Sequence, residues 1–270
     1  MFDGRPTCGT RRSTSHSPIT GDGPTANCWR ASTPTPRGGS SISVAAPGTL
    51  TVGLAARWPN ALIEATDTSP EMVAAARDRG VDARLQDVRD WHPTPDTDVV
   101  ISNATLQWVP EHRELLRRWV RELHPGAHLA FAVPGNFEFP SHRIIRSVAG
   151  SPRWRDMLSQ IDFRGGDTVD DPTGYATLLA DAGCAVDAWE TTYIQRLTGD
   201  NPVLEWVTGT ALTPVRSALV DDDWEAFRAD LAPELSAAYP RRSDGTTFFP
   251  FRRIFVVART GADAGEIRRP

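Results

Sequence analysis

From Leu50 onward, short apolar runs alternate with amphipathic stretches at the pitch that βαβ units require, and this restricts the fold more than any other feature of the chain. Leu50 to Trp58 reads as a short helix and Ala61 to Thr66 as a buried strand. Pro70 to Arg79 follows as a helix, with Ser69 as N-cap and Pro70 at the first helical position. Ala83 to Gln86 is a short strand and Asp98 to Ser102 a second buried one. Glu111 to Leu123 is an amphipathic helix, with Leu115, Leu116, Trp119 and Leu123 at helical spacing. His128 to Val133 is another strand. Val186 to Tyr193 and Arg253 to Ala258 are late strands, the last pair antiparallel. The expected class is α/β, a doubly wound and mostly parallel sheet with helices on both faces. Two stretches, about 140–171 and 199–245, interrupt the alternation with helical patterns carrying Trp and Arg. Insertions of this kind sit over the carboxyl ends of the strands, where ligands bind, so both are read as cap elements.

Residues 1–48 have a different composition. Fourteen are Ser or Thr, only 12 are apolar, and Leu and Glu are absent. Such a stretch buries too little surface to offset its ordering entropy, which predicts a disordered leader before a domain at 49–260 and a flexible tail at 261–270. The net charge of -5 argues against broad nucleic-acid binding, which rests on a basic face. No apolar run approaches the roughly 20 residues of a membrane span, and the first residues lack the apolar core of a secretory signal. Three widely spaced cysteines make neither a disulfide framework nor a zinc site, so a reducing cytoplasm is the expected location and no metal is expected.

Three motifs sit where a doubly wound sheet binds ligands. Asp67, just past the second strand and followed by Ser69 and Met72, is placed to accept hydrogen bonds from both ribose hydroxyls of an adenosine ligand. The competing reading is a turn that caps the next helix. Asp87 and Val88 follow the third strand, where a carboxylate can accept from the exocyclic amine of adenine or serve as a solvated turn residue. Asn103 and Ala104 fall at the carboxyl end of the central strand, facing the crevice, with Gln107 and Trp108 just beyond. Trp108 reads as packing first and ligand wall second.

Together these spacings resemble the class I S-adenosylmethionine-dependent methyltransferases. The runs TVGLAARWPNALIEATDTSPEMVAAA, DVRDWHPTPDTDVVISNATLQWVPEH, VPGNFEFPSH, WETTYIQRLTG and YPRRSDGTTFFPFRRIFVVA resemble, more closely, the trans-aconitate 2-methyltransferase family, from about Thr49 to Ala258. The resemblance implies a seven-stranded sheet and S-adenosyl-L-methionine as cofactor, bound by Gly48, Asp67, Ser69, Met72, Asp87, Val88, Asn103 and Ala104. It implies a small tricarboxylate as methyl acceptor, and a monomethyl ester as product. A carboxylate is ionised at neutral pH, so no catalytic base is expected, and His112 and His142 are read as contacts at most. Carboxylates call for Arg forks. Arg253 is the first candidate, then Arg252, Arg164 and Arg143, with His142, Gln107 and Trp108 beside them. Tyr193 and Trp206 are pocket walls or core residues. A monomer is the favoured assembly, without nucleic-acid or membrane partners. Two other readings stay open: a methyltransferase for another small acid or metabolite, and an inactive relative that has lost cofactor binding. A nicotinamide dehydrogenase fits least, because no intact G-x-G-x-x-G follows the first strand.

One departure stands out. The family opens its first strand with Val-Val-Asp-Leu-Gly-Cys-Gly-Pro-Gly, and the matching residues Ser40 to Gly48 agree only at Pro47 and Gly48. Val44 and Ala46 carry Cβ atoms where the glycines leave room for the cofactor. A displaced reading frame accounts for the difference. The codons GTC GTC GAT CTC GGT TGC GGC CCC, read one base late, encode Ser-Ser-Ile-Ser-Val-Ala-Ala-Pro, which is Ser40 to Pro47. Likewise CTG CTG GCG CGC GTC GAC shifts to Cys28 through Thr33. Every basic residue in the chain is Arg, as a GC-rich gene would give. Independent sequencing of the gene should find a one-base displacement upstream of the Gly48 codon. Reads that reproduce the present frame, with relatives carrying the same leader, would reject this account.

Overall fold

The computed structural model describes residues 41–45, 54 and 57–261. Gly48, most of the Leu50–Trp58 helix, and nearly all of the expected leader and tail therefore lie outside the described residues. Seven strands form one sheet: β1 (Ser41–Ala45), β2 (Leu62–Asp67), β3 (Asp82–Leu85), β4 (Thr97–Asn103), β5 (His128–Pro134), β6 (Ala185–Thr198) and β7 (Thr246–Arg259), in spatial order β3-β2-β1-β4-β5-β7-β6. The pairs β1–β2, β1–β4, β2–β3 and β4–β5 are parallel, while β7 runs antiparallel to both β5 and β6. Chain order reverses between β1 and β4, which makes the carboxyl ends of these two strands the topological switch point. β1 lies inside the stretch read as a leader, so the boundary expected at residue 48 cuts across the sheet. Ser41–Ala45 alternates serine with Ile42, Val44 and then Ala45, and its parallel pairing with β2 and β4 supplies backbone partners on both sides.

The helices are α1 (Pro70–Arg77), α2 (His112–Glu122), α3 (Pro140–Ala149), α4 (Pro172–Asp181), α5 (Pro202–Thr208), α6 (Thr213–Ala218) and α7 (Asp221–Ala238), with a 3-10 turn at Leu106–Trp108. Ser69 and Asp171 cap α1 and α4 by accepting from the N–H groups of Met72 and Gly174. The sequence reading missed α4, although Asp171-Pro172 is a start signal and Tyr175, Leu178 and Leu179 form its buried face. Among the described residues, no helix is long and apolar enough to cross a membrane.

Strand alternation divides the interior into layers. On one face of the sheet, Phe131, Val133, Ile254, Val256 and Ala258 pack against Leu116, Trp119 and Tyr175 from α2 and α4. On the other, Val99, Ile101, Ala130, Ala132 and Phe255 pack with Leu54 and Trp58. A separate cluster joins the two insertions: Ile145, Trp154, Val207, Phe227, Leu231 and Leu235 with Phe249. β6 and β7 run 14 residues each, well past the expected ends. β5 covers β7 only from Arg253 onward, so the Thr246–Arg252 half is an edge on that side and tolerates Pro250. This projecting ribbon carries Phe249 into the cap core. It couples sheet to cap.

Trp119 is fully buried and meets Trp91 edge to face at 5.6 Å. Trp119→Ala should therefore lower unfolding stability by about 3–5 kcal/mol, read from the denaturant midpoint at unchanged slope. A loss under about 1 kcal/mol would mean that the α2–sheet interface is not a main source of stability.

Candidate active site

The carboxyl ends of β3, β2, β1 and β4 lie side by side, and three of the sequence motifs meet along this rim. Asp67 ends β2. Its Oδ1 accepts from the Ser69 N–H at 2.8 Å, and the Asp67 carbonyl accepts from the Gln86 N–H at 3.0 Å, which ties the ends of β2 and β3 together. Asp87 stands one residue further on. Its carboxylate is gripped by Arg89, with Nε at 3.0 Å from Oδ1 and Nη2 at 2.7 Å from Oδ2. These contacts hold the Asp87 carboxyl below the usual range. The pair is exposed on the Arg89 side, and such pairs contribute at most about 1 kcal/mol, so an adenine amine can share or displace the guanidinium at little cost. Ser69 acts in the helix cap, its hydroxyl donating to Glu71 and accepting from the Met72 N–H. Met72 is exposed on the first turn of α1, and the Val88 side chain is in the core.

At the end of β4 the chain turns sharply. Ala104 has φ 54, the one positive value among described non-glycine residues, which costs an L-residue about 1–2 kcal/mol. The turn lets the Gln107 side-chain amide donate to the Ala104 carbonyl at 2.7 Å while Gln107 Oε1, buried, has no partner. Asn103 Oδ1 accepts from Arg253 Nη2 at 2.6 Å, across 150 residues of sequence. Arg253 shares its sheet face with Phe255, and its guanidinium lies 5.9 Å from that ring. Its Nε is shielded and unbonded, burial pushes its pKa below the ordinary arginine value, and no carboxylate lies within ion-pair distance among the described residues. A buried cation without a counter-ion is costly, and a ligand carboxylate relieves that cost.

A cavity of about 590 Å³ opens beyond Gln107 and Trp108, between α2, α3 and the irregular 160–168 segment. Arg164 is, among the described residues, the arginine of its lining with no ion pair. The guanidinium sits 3.7 Å over the Trp108 ring and 5.3 Å from Phe137, and burial lowers it to about 10. Arg113 and Arg146 also line the cavity but are engaged. Arg113 binds Asp170 at 2.8 and 2.9 Å and donates to the Asp167 carbonyl. Arg146 donates to the carbonyls of Phe137 and Arg164 and to Glu138. These two arginines hold the 160–170 segment in place, and sequence reading missed both. His142 lines the same cavity, pushed down to about 4 by burial and by Arg164 and Arg146.

Two expected contacts are not brought to the site. Arg252 lies on the opposite sheet face from Arg253, because neighbours on a strand alternate, and its Nε sits 3.5 Å from Glu190. Arg143 is on the exposed side of α3, about 100° around the helix from His142, while Ile145 and Arg146 share the His142 side. Trp206 packs against Phe249 and Phe251 in the cap core, and Tyr193 beside the Phe255 layer. His112 is fully buried. Its Nδ1 donates to the Val109 carbonyl at 3.0 Å, and its Nε2 accepts from Tyr175 at 2.9 Å, a structural tie between α2 and α4.

This strand order, with acidic residues at the rims of β2 and β3, is the arrangement of the class I methyltransferases. A methyltransferase domain model matches residues 44–131. In fold, the chain is similar to the YcgJ protein from Bacillus subtilis, at TM-score 0.55 and 12% identity over 88% of this chain and 99% of that one. It is also similar to a Haemonchus contortus phosphoethanolamine N-methyltransferase 2, at TM-score 0.51 and 13% identity over 89% of this chain and 53% of that one. Sequence likeness is much higher to the trans-aconitate 2-methyltransferases of Rhodococcus jostii, 68% identical over 79% of this chain and 84% of the relative, and of Mycobacterium tuberculosis, 58% identical over 80% and 82%. The chain belongs to the trans-aconitate 2-methyltransferase family.

His142 yields a pH prediction. In the unfolded chain it titrates near its ordinary 6.5, whereas in the folded protein it stays neutral down to about 4. Its contribution is complete above 6.5 and is lost as pH falls from 6.5 to 4, on the order of 3 kcal/mol across the window. His142→Asn should flatten that part of the stability profile, leaving the slope from His112 and His128, which burial also lowers. An unchanged profile in the variant would show that His142 is not desolvated.

Proposed function

We propose that the chain transfers the methyl group of S-adenosyl-L-methionine to a carboxylate of trans-aconitate. The observation that carries this is the Arg253 guanidinium: it sits at the rim beside Asn103 and is paired with no carboxylate among the described residues. S-adenosyl-L-methionine supplies, when bound, an electrophilic methyl on a sulfonium sulfur. Asp67 would hold the ribose, Asp87 the adenine amine, and the Asn103–Ala104 turn the amino-acid portion. Ser69, Met72 and the backbone at Val88 would complete that side.

On the acceptor side, Arg253 and Arg164 bind carboxylates, with Gln107, Trp108 and His142 as the surrounding wall. A carboxylate oxygen forms a bond to the methyl carbon as the methyl–sulfur bond breaks, giving the monomethyl ester and S-adenosylhomocysteine. An anion attacks a cation and two neutral centres result. No proton moves, so no base is needed. The protein's part is alignment of oxygen, carbon and sulfur, and removal of water from the nucleophile. His112 takes no part, being held in the Tyr175 tie. We place the chain in the cytoplasm as a monomer, with small molecules as its only partners.

Methyl transfer to trans-aconitate, with citrate and isocitrate as controls, tests this reading. Arg253→Gln should lower kcat/KM for trans-aconitate about 10–100-fold, the cost of one charge-assisted hydrogen bond. Asp67→Asn should raise KM for the cofactor by about 10-fold while leaving acceptor KM unchanged. Calorimetric titration with S-adenosyl-L-methionine should give measurable heat, larger in a chain whose leader carries the family's Gly-Cys-Gly-Pro-Gly segment. Absence of both binding and transfer in both chains would refute the assignment.

A further inference from the structure

Two guanidiniums at the site, Arg253 and Arg164, have no carboxylate partner among the described residues, and they occupy different places, which suggests a division of labour. Arg253 stands on the strand rim, bonded to Asn103. Arg164 stands in the cap cavity, stacked on Trp108. A short stretch of backbone links them, since Asn103 contacts Arg253, the next residue's carbonyl accepts from Gln107, and Gln107 lines the cavity that holds Arg164. An acceptor with its reacting carboxylate at the rim can therefore extend an arm past Gln107 toward Arg164.

The other charges of the cavity leave Arg164 as the group available to that arm. Arg113 is neutralised by Asp170, and Arg146 by Glu138. Asp162 and Asp167 line the cavity as well. Asp162 acts on Arg164 only at a distance that forms no ion pair, and the Asp167 carbonyl is held by Arg113. Stacking between Trp108 and Phe137 fixes the guanidinium plane, so its donors face a limited set of directions. A planar, fixed fork suits one carboxylate at one distance from the rim.

Resting on the acceptor reading above, we propose that Arg164 is the specificity-determining residue that reads a carboxylate the reaction does not touch, and so selects tricarboxylates over dicarboxylates. Arg253 serves the part of the acceptor next to the transfer. Removing Arg164 then lowers affinity for three-armed acceptors and spares two-armed ones that never reached it.

Trans-aconitate and the three unsaturated dicarboxylates that each lack one of its carboxylates (mesaconate, itaconate and glutaconate) provide the probes. Dissociation constants are measured by calorimetry on the full chain and on Arg164→Gln, Arg164→Lys and Arg143→Gln. Binding is the readout, so failed methyl transfer would count against the proposed reaction and leave this inference to be decided by the affinities. Wild type should bind trans-aconitate about 10–100-fold more tightly than the dicarboxylate missing the arm that faces Arg164. Arg164→Gln should close that gap by weakening trans-aconitate and the two dicarboxylates that keep that arm, with the one that lacks it unchanged. Arg164→Lys, which keeps the charge and loses the planar fork, should recover part of the preference. Arg143→Gln, altered on the exposed side of α3, should bind as wild type. Equal loss for all four acids in Arg164→Gln, with an unchanged thermal midpoint, would overturn the inference. So would unaltered affinities, or a wild type that binds none of the acids.

Discussion

Arg253 reaches Asn103 because an antiparallel strand was inserted beside β5. Pro134 at the end of β5 stands opposite Arg253 in the β5–β7 register, and Asn103 ends the next strand over. The hydrogen bond thus spans the boundary between the parallel half of the sheet, which carries the cofactor motifs, and the antiparallel half, which carries the cap. Register controls it entirely. A slip of one residue along β7 would turn Arg253 to the face that Arg252 now occupies, toward the α2–α4 layer, and would leave a guanidinium among Phe131, Val133 and Tyr175. The apolar residues Phe255, Ile254 and Val256 fix that register through burial, so the position of the Arg253 guanidinium follows from core packing within three residues of it.

The same logic extends to the cap. The 160–168 segment has no helix or strand to position it, yet it presents Arg164 to the cavity. Arg146 and Arg113 hold it at two carbonyls, those of Arg164 and Asp167, and Arg113 also holds the Asp170 carboxylate. An irregular segment would otherwise lose its backbone hydrogen bonds on leaving water. Two guanidiniums from α2 and α3 replace them, which puts the Arg164 guanidinium where regular structure is absent. Gly135, before this segment, leaves room for the crossing β7 strand: a Cβ there would lie 2.8 Å from Arg252 Nε and 2.9 Å from Ile254.

What was legible in the sequence follows the range of the interactions. Asp67, Asp87 and Asn103 were readable because each sits within two residues of a strand whose apolar run is visible locally. Arg252 and Arg253 were both candidates because alternation separates them only when the inward set is known, and Ile254 and Phe255 are both apolar. Arg143 was preferred to Arg146 for want of a helix face, although the spacing of His142, Ile145 and Arg146 marks one. The long β6–β7 ribbon escaped notice because its exposed positions include Ile194 and Phe248 beside Thr192 and Arg196, which blurs the alternation, and its inward contacts are with cap helices distant in sequence. β1 escaped for a different reason: the alternation of Ile42 and Val44 with serine is only five residues long and lies inside a stretch whose overall composition is that of a leader.

That last point sets how the altered first strand should be viewed. A parallel strand at the centre of a sheet is held by backbone bonds on both sides, which are blind to side-chain identity, so the segment Ser41–Ala45 can keep its place while its side chains change. The residues directly after β1 lie outside the described ones. In the family the matching positions are glycines, which leave room for the cofactor, and this sequence carries Val44 and Ala46 there instead. A change that spares strand pairing and adds Cβ atoms at those positions separates folding from cofactor affinity. Asp67, Asp87, Arg164 and Arg253 all follow that change in the chain, and the contacts that position them are made among residues 67–253.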